Sequence, residues 1–383
     1  MRRIKNSIFI FSILLLFACI KSYDPVINSN AQKKYVVSGR ITNTQGWQII
    51  KVTLSSPVGA PDSVPVKGCQ VTIVSGEGYV FPTLAYSNGE YWAWMSQNIL
   101  VPGTSYQVKV ITPEGDLLQS GFEMMPKGPA LDSVYYHIKE VPTSIPGVTS
   151  VGMQFYVDLV AVGDYSQYYK WEVTETWEYH AAHSVEYYYD GTFHQVKPPD
   201  STNKICWFTG PVKNIFTVST KSLSQNIYKQ FPLHTVDGHT SRMGIGYSIL
   251  VRQLALSEKA YNYWEQMRIN SNDQGGLYEQ QPLAIKGNII NVTHPEKEVL
   301  GYFYAVSETT RRYFYKNIPG LPLDFPDGCG ESELGRFGWK EFFKYEYPIY
   351  YYFPPVGLRI LDVNCVDCRK AGGVTHKPDF WPY

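Results

Sequence analysis

Between residues 35 and 124 apolar and polar side chains alternate in short runs, the pattern of strands buried on one face. The alternation predicts strands over 35–42, 48–54, 70–75, 91–95, 105–111 and 117–123. Turn-forming sequences separate them: Asn88-Gly89, Pro102-Gly103 and Pro113-Glu114-Gly115-Asp116. Pro126-Lys127-Gly128-Pro129 reads as a domain boundary. Beyond it the period of two resumes. Val151, Met153, Phe155, Val157 and Leu159 share one face of a strand, as do Trp171, Val173 and Glu175 within 170–179. Tyr247, Ile249 and Val251 do so within 246–255, and 300–306 is a further strand. The period becomes helical over 257–269. There Ser257 is a suitable N-cap, Glu258 lies in the first turn, and Ala260, Tyr261, Trp264 and Met267 form a stripe suited to packing on the C-terminal sheet. No solenoid-length repeat is evident. The expected fold is mostly β: an N-terminal Ig-like or prealbumin-like β-sandwich over 35–125, then a larger β-rich domain over 130–383 with one or two short helices.

The first residues carry a different signal. Arg2, Arg3 and Lys5 precede an apolar run over 8–18 broken only by Ser12, which reads as a secretory signal peptide over 1–18. The run ends Leu16-Phe17-Ala18-Cys19, which resembles a bacterial lipobox. That resemblance implies cleavage before Cys19, acylation of its thiol and amine, and a lipidated tether over 19–34. The alternative is ordinary secretion with Cys19 incidental. Several acyl chains would anchor the chain firmly, at about 0.8 kcal/mol per buried methylene. Ile20 stands where an inner-membrane retention signal would place Asp, so by analogy with other lipoproteins the expected location is the outer membrane, on a face the sequence leaves open.

Charge narrows the partners. Lys plus Arg total 34 and Asp plus Glu total 34, so there is no long-range field to draw nucleic acid, and none is expected as a partner. Removing residues 1–18 takes three cations away and leaves a net charge of about −3. Aromatic content is 15%, with 31 Tyr; alongside 31 Gly and 25 Pro it favours turn-rich β-structure.

Six cysteines are present. Cys69 precedes Val71 and Ile73 in alternation and reads as a buried thiol. In an oxidising compartment Cys206, Cys329, Cys365 and Cys368 suggest two disulfides, with three pairings open. Cys365-Val366-Asp367-Cys368 lacks the following helix that would lower a redox thiol's pKa, and only His376 lies nearby as a further zinc ligand. Structural bridges holding the C-terminal tail are the favoured reading.

The chain contains no G-x-S-x-G, no H-E-x-x-H and no Walker A loop. His180-Ala181-Ala182-His183 has a ligand-like spacing but follows a strand and lacks a marked third ligand, so two solvated histidines are expected. No catalytic residue, metal or cofactor is therefore expected. The best binding candidates are two aromatic runs: Tyr187, Tyr188 and Tyr189, and Tyr350, Tyr351 and Tyr352 within 345–353. Tyrosine offers a flat apolar face and a hydroxyl for stacking on sugars or gripping a protein, although it also simply favours strands. Consecutive residues of a strand point to both faces, so at least one member of each run is expected at the surface. Asn291-Val292-Thr293 matches an N-glycosylation sequon, and Asp62-Ser63-Val64 and Asp132-Ser133-Val134 look like short O-glycosylation sequons.

Two resemblances add to this reading. Gly89-Glu90-Tyr91 and the run Pro102-Gly103-Thr104-Ser105-Tyr106-Gln107-Val108 resemble the carboxypeptidase-regulatory-like sandwich, a module usually non-catalytic. A wider set comprises Val37-Ser38-Gly39-Arg40-Ile41-Thr42-Asn43, Cys206-Trp207, Tyr247-Ser248-Ile249-Leu250-Val251-Arg252-Gln253, Leu256-Ser257, Ala260-Tyr261 and Tyr263-Trp264. It continues through Gln281-Pro282, Lys286-Gly287-Asn288-Ile289, Val299-Leu300-Gly301-Tyr302-Phe303, Cys365-Val366-Asp367-Cys368-Arg369, Gly372-Gly373 and Lys377-Pro378-Asp379-Phe380-Trp381. With the cysteine-ended signal, these segments resemble an uncharacterised, domain-of-unknown-function family of outer-membrane lipoproteins often encoded beside TonB-dependent receptors. The resemblance implies a non-catalytic lipoprotein accessory to a TonB-dependent transporter in nutrient uptake, by ligand capture or as a barrel cover. It brings no catalytic residues with it. The alternative is a structural or adhesive surface protein that binds glycans or proteins through its aromatic patches.

Overall fold

The computed structural model describes residues 33–56, 64–143, 145–272, 285–321, 329–333, 348–353 and 359–383. The fold is mostly β, as the alternation predicts. A ten-stranded sheet forms its spine. Along the main path its strands are Ile205–Pro211, Tyr168–His180, Gly246–Ala255, Phe303–Tyr315, Tyr35–Thr42, Gly46–Leu54, Glu90–Met95 and Leu84–Ala85. Neighbours are antiparallel except at the centre. There Tyr35–Thr42 runs parallel to Phe303–Tyr315, with Gly39 opposite Phe303 and Thr42 opposite Val306.

This sheet is one wall of two cores. At one end it faces a six-stranded sheet that includes Gln70–Ser75, Ser105–Ile111, Leu117–Ser120 and Ile289–Asn291. Val37, Ile41, Ile50, Val71, Ile73, Val108 and Leu118 fill the space between them. At the other end Trp171, Val173, Ile249 and Val251 pack with Met153, Phe155, Val157 and Leu159, residues of a three-stranded sheet (Ser133–Pro142, Thr149–Val160, Ile227–Asp237). The chain crosses between the two at 126–129, but the first core also takes Ile289, Val299, Phe303 and Ala305 from the far side of that boundary. The N-terminal sandwich is thus completed by segments that lie far later in the sequence.

Boundaries differ from the sequence pattern in two informative places. The single strand expected over 117–123 divides into Leu117–Ser120 and Glu123–Met124: both pair with Ser105–Ile111, but Leu118 lies opposite Val110 and Glu123 opposite Tyr106, so the register slips by one residue between them. The strand expected over 300–306 starts only at Phe303 and continues to Tyr315, since Gly301 sits at φ 95°, outside extended geometry.

The helix Glu258–Asn272 begins where the capping signal places it: the Ala260 N–H donates to Ser257 Oγ at 3.2 Å. Its stripe lies on the outer face of the long sheet, against Leu254, Leu256, Tyr302, Tyr304 and Val306. No helix among the described residues is long and apolar enough to cross a membrane. A five-stranded sheet (Phe193–Asp200, Val185–Tyr189, Ile349–Tyr352, Arg359–Leu361, Glu331–Glu333) joins the C-terminal segments.

Candidate functional site

Strands Gly46–Leu54 and Glu90–Met95 are apolar on both faces. Tyr91, Ala93 and Met95 point into the first core, so by the period of two Trp92 and Trp94 point out. Trp47 lies directly opposite Trp94, Ile49 opposite Trp92, and Leu84 on the other side of Trp92. The Trp47 and Trp94 rings meet edge to face at 5.3 Å, and Tyr86 stacks on Trp92 at 4.3 Å. Trp94 is 54% exposed and Trp47 45% exposed. Scattered apolar residues are ordinary on a surface, but a contiguous aromatic sheet face is a mark of contact with something else.

This face leads into a cleft of about 440 Å³ between Trp47 and the helix. The aromatic wall opposite Trp47 is built from the helix and the strand beneath it. Tyr263 stacks on Tyr302 at 4.6 Å, and Trp264 meets Tyr304 edge-on at 5.9 Å. The charged residues lining the cleft are Arg40 and Lys51, with Ser38, Thr42 and Gln48 as polar neighbours.

The charges around Arg40 form a network. Arg40 donates to Glu172 at 2.7 Å and approaches Glu308 at 3.5 Å, while Arg252 reaches Glu308 at 3.6 Å. Lys170, 5% exposed, pairs with Glu172 at 3.0 Å and places its ammonium 3.3 Å from the centre of the Trp264 ring. Burial alone would raise the Glu172 pKa; Lys170 and Arg40 outweigh it and hold the carboxylate at about 2. Burial lowers the Lys170 ammonium and pushes the Tyr304 hydroxyl up to about 12. The cleft therefore presents Tyr304 with its hydroxyl held protonated, beside the lining cations Arg40 and Lys51, a set suited to binding.

The two tyrosine runs prove to be neighbours. Tyr187 pairs with Tyr351 and Tyr188 with Tyr350 across adjacent strands. One face carries Tyr187, Tyr189 and Tyr351 with Phe193 and Phe353; Tyr187 meets Phe353 at 4.5 Å and Phe193 meets Tyr351 at 5.8 Å. On the other face Tyr188 stacks on His194 at 4.6 Å. The first run is buried or half-buried rather than exposed, because its rings are spent on one another and on this sheet. In the second run Tyr351 is buried and Tyr350 half-buried; the side chain of Tyr352 lies outside the described residues. The exposed rings of this patch are Phe193 and Phe353.

The cysteine pairing is Cys206–Cys368 and Cys329–Cys365, with Cys69 buried as a free thiol. The two cysteines of the C-x-x-C thus hold different segments. One ties the tail to strand Ile205–Pro211, the other to Cys329, just before strand Glu331–Glu333. His180 and His183 are half-buried rather than solvated, bonded to Glu178 at 2.7 Å and Glu331 at 3.2 Å. His183, Cys329 and Glu331 bring their ligand atoms within 4.8 Å of one another, but Cys329 is committed to its disulfide. Asn291 is buried with its amide nitrogen donating to Asp116 at 3.0 Å, so the sequon there offers no accessible acceptor. Cys19, the signal peptide and Asp62-Ser63 lie outside the described residues.

The Trp47–Trp94 face and the Arg40 cleft were missed by the sequence reading. A signal existed for the first: strand 91–95 carries apolar side chains on both faces, and only one face can serve the core.

Fold and site together define a mostly-β, multi-sheet protein with two disulfides and a solvent-facing aromatic surface. The chain belongs to the family described as Domain of unknown function (DUF4249), whose model matches residues 20–312. A search of curated proteins finds no match. Among solved structures, part of the chain is similar to a crystal structure of a point mutant of Salmonella alpha-2-macroglobulin, at 10% identity and a TM-score of 0.20, covering 58% of this chain and 14% of that one. The chain spans about a seventh of that protein's length.

Proposed function

We propose that this protein is a lipid-anchored, non-catalytic component of the outer membrane that serves a TonB-dependent transporter, capturing a ligand for it or covering its barrel. The observation that carries the reading is the exposed Trp47–Trp94 pair with Ile49, Trp92, Leu84 and Tyr86, an aromatic sheet face that no other described segment covers. The Cys-ended signal sequence supports the anchor, and the gene neighbourhood implied by the family resemblance supports the partner. A non-catalytic role is supported by the cleft chemistry: its arginine is paired with carboxylates and its tyrosine hydroxyls stay protonated. A second reading, an adhesive surface protein, is favoured by the separate Phe193–Phe353 patch. Affinity purification of the full chain from native membranes in mild detergent separates the two. A stoichiometric barrel partner is expected; its repeated absence would leave the adhesive reading.

A further inference from the structure

We infer that the cleft between Trp47 and the helix binds a saccharide bearing a ring carboxylate, an acidic sugar of the uronate class; this rests on the ligand-capture reading above. Three features of the cleft point to that chemistry. Its lining carries aromatic rings from two elements, Trp47 from strand Gly46–Leu54 and Tyr263 and Trp264 from the helix, and aromatic rings suit the apolar C–H face of a pyranose. Its polar groups, Ser38 and Thr42, match ring hydroxyls. Its charged lining residues are both cations. Arg40 is anchored by Glu172 and Glu308, which fixes its guanidinium in place. Lys51 forms no ion pair among the described residues; its cross-strand neighbour Glu90 instead accepts from the Trp92 indole N–H at 3.0 Å. Around the cleft the cations Arg40, Lys51, Lys170 and Arg252 balance the carboxylates Glu90, Glu172, Glu308 and Glu123, the last accepting from the Tyr302 hydroxyl at 3.1 Å; on the lining itself only the two cations stand. A carboxylate entering beside the aromatic lining thus meets Lys51, a cation with no ion pair among the described residues.

The test uses the full chain in detergent, titrated by calorimetry with tetragalacturonate, its methyl-ester form, and tetraglutamate as an acidic peptide of equal charge. The ester keeps the sugar's shape and removes its charge. The acid is expected to bind about tenfold more tightly than the ester, the scale of one charge-assisted hydrogen bond. Trp47→Ala should weaken acid binding by about tenfold, as for loss of one aromatic anchor. Lys51→Ala should cut the acid-over-ester preference while leaving circular dichroism unchanged. Equal affinity for acid and ester, tighter binding of tetraglutamate, or no saccharide binding at millimolar concentration would each overturn the inference. Barrel co-purification without saccharide binding sinks this inference alone. Saccharide binding without a barrel sinks the transporter assignment alone.

Discussion

Gly287 and Gly301 meet backbone to backbone: a Cβ on Gly287 would lie 1.8 Å from the Gly301 carbonyl oxygen, and one on Gly301 would lie 2.1 Å from that of Val37. Three segments distant in sequence stack here with no room for a methyl group. Asn288 fastens the stack, donating to the Phe303 carbonyl at 2.7 Å and accepting from the Phe303 N–H at 2.9 Å. Since this seam borders the first core, beside Val37, Val299 and Phe303, Gly287→Ala should reach or exceed the upper end of ordinary overpacking, about 3 kcal/mol. Gly210→Ala, with nothing within 4 Å of its Cβ, should stay within about 0.5 kcal/mol of wild type. Urea denaturation midpoints of the two variants check the contrast, and equal midpoints would refute the seam.

The disulfides differ in what they enclose. Cys206–Cys368 spans 162 residues and Cys329–Cys365 spans 36. On chain-entropy grounds the longer loop restrains the unfolded chain more, by about 1.3 kcal/mol. Paired Cys→Ala replacement at Cys206 and Cys368 should therefore lower the unfolding midpoint more than replacement at Cys329 and Cys365. The reverse order in thermal unfolding would show that the loops contribute less than local packing.

Acid should weaken the protein through Glu172. Its carboxylate is held at about 2 against an ordinary 4.5, so the folded state prefers it charged. The sign follows: this contribution is fully present above about pH 4.5 and declines as pH falls toward 2. Glu172→Gln is expected to be less stable at pH 7, because it strands Lys170 and leaves Arg40 only Glu308, and to show a flatter loss of stability between about pH 5 and 2. Chemical denaturation at stepped pH measures both; a parallel acid limb in the variant would exclude Glu172 as the source.

Membrane attachment should depend on one atom. Cys19→Ala removes the thiol that the lipobox-like sequence presents for acylation. The variant is expected in the soluble periplasmic fraction, while wild type sediments with the outer membrane. Sedimentation of both would count against the anchor.

Much of the fold was legible because alternation reports burial directly. Val71 and Ile73, and Val151 through Leu159, needed only a period of two to be placed against a core. The Ser257 cap needed only local chemistry. What stayed hidden was long-range. Nothing local says that Gly39 will lie opposite Phe303 in a parallel pair, nor that Tyr187 will face Tyr351 across adjacent strands. The Arg40 cleft draws on three separate stretches: strands 35–54, the helix, and the segment at Tyr302–Tyr304. Its residues converge only once the parallel pairing has formed.

The aromatic face separates a structural from a contact role in one comparison. Trp171 is fully buried, packs against Phe231 at 4.6 Å and donates to Gln253 at 3.2 Å. Trp171→Ala should cost about 3–5 kcal/mol and lose any binding along with the fold. Trp94 has its ring largely in solvent and touches Trp47 edge-on, so Trp94→Ala should cost only about 1 kcal/mol. If the face exists for a partner, Trp94→Ala keeps a near-native melting temperature yet loses the co-purifying barrel. A variant that melts normally and still retains the barrel would mean that these tryptophans are exposed for some reason other than that contact.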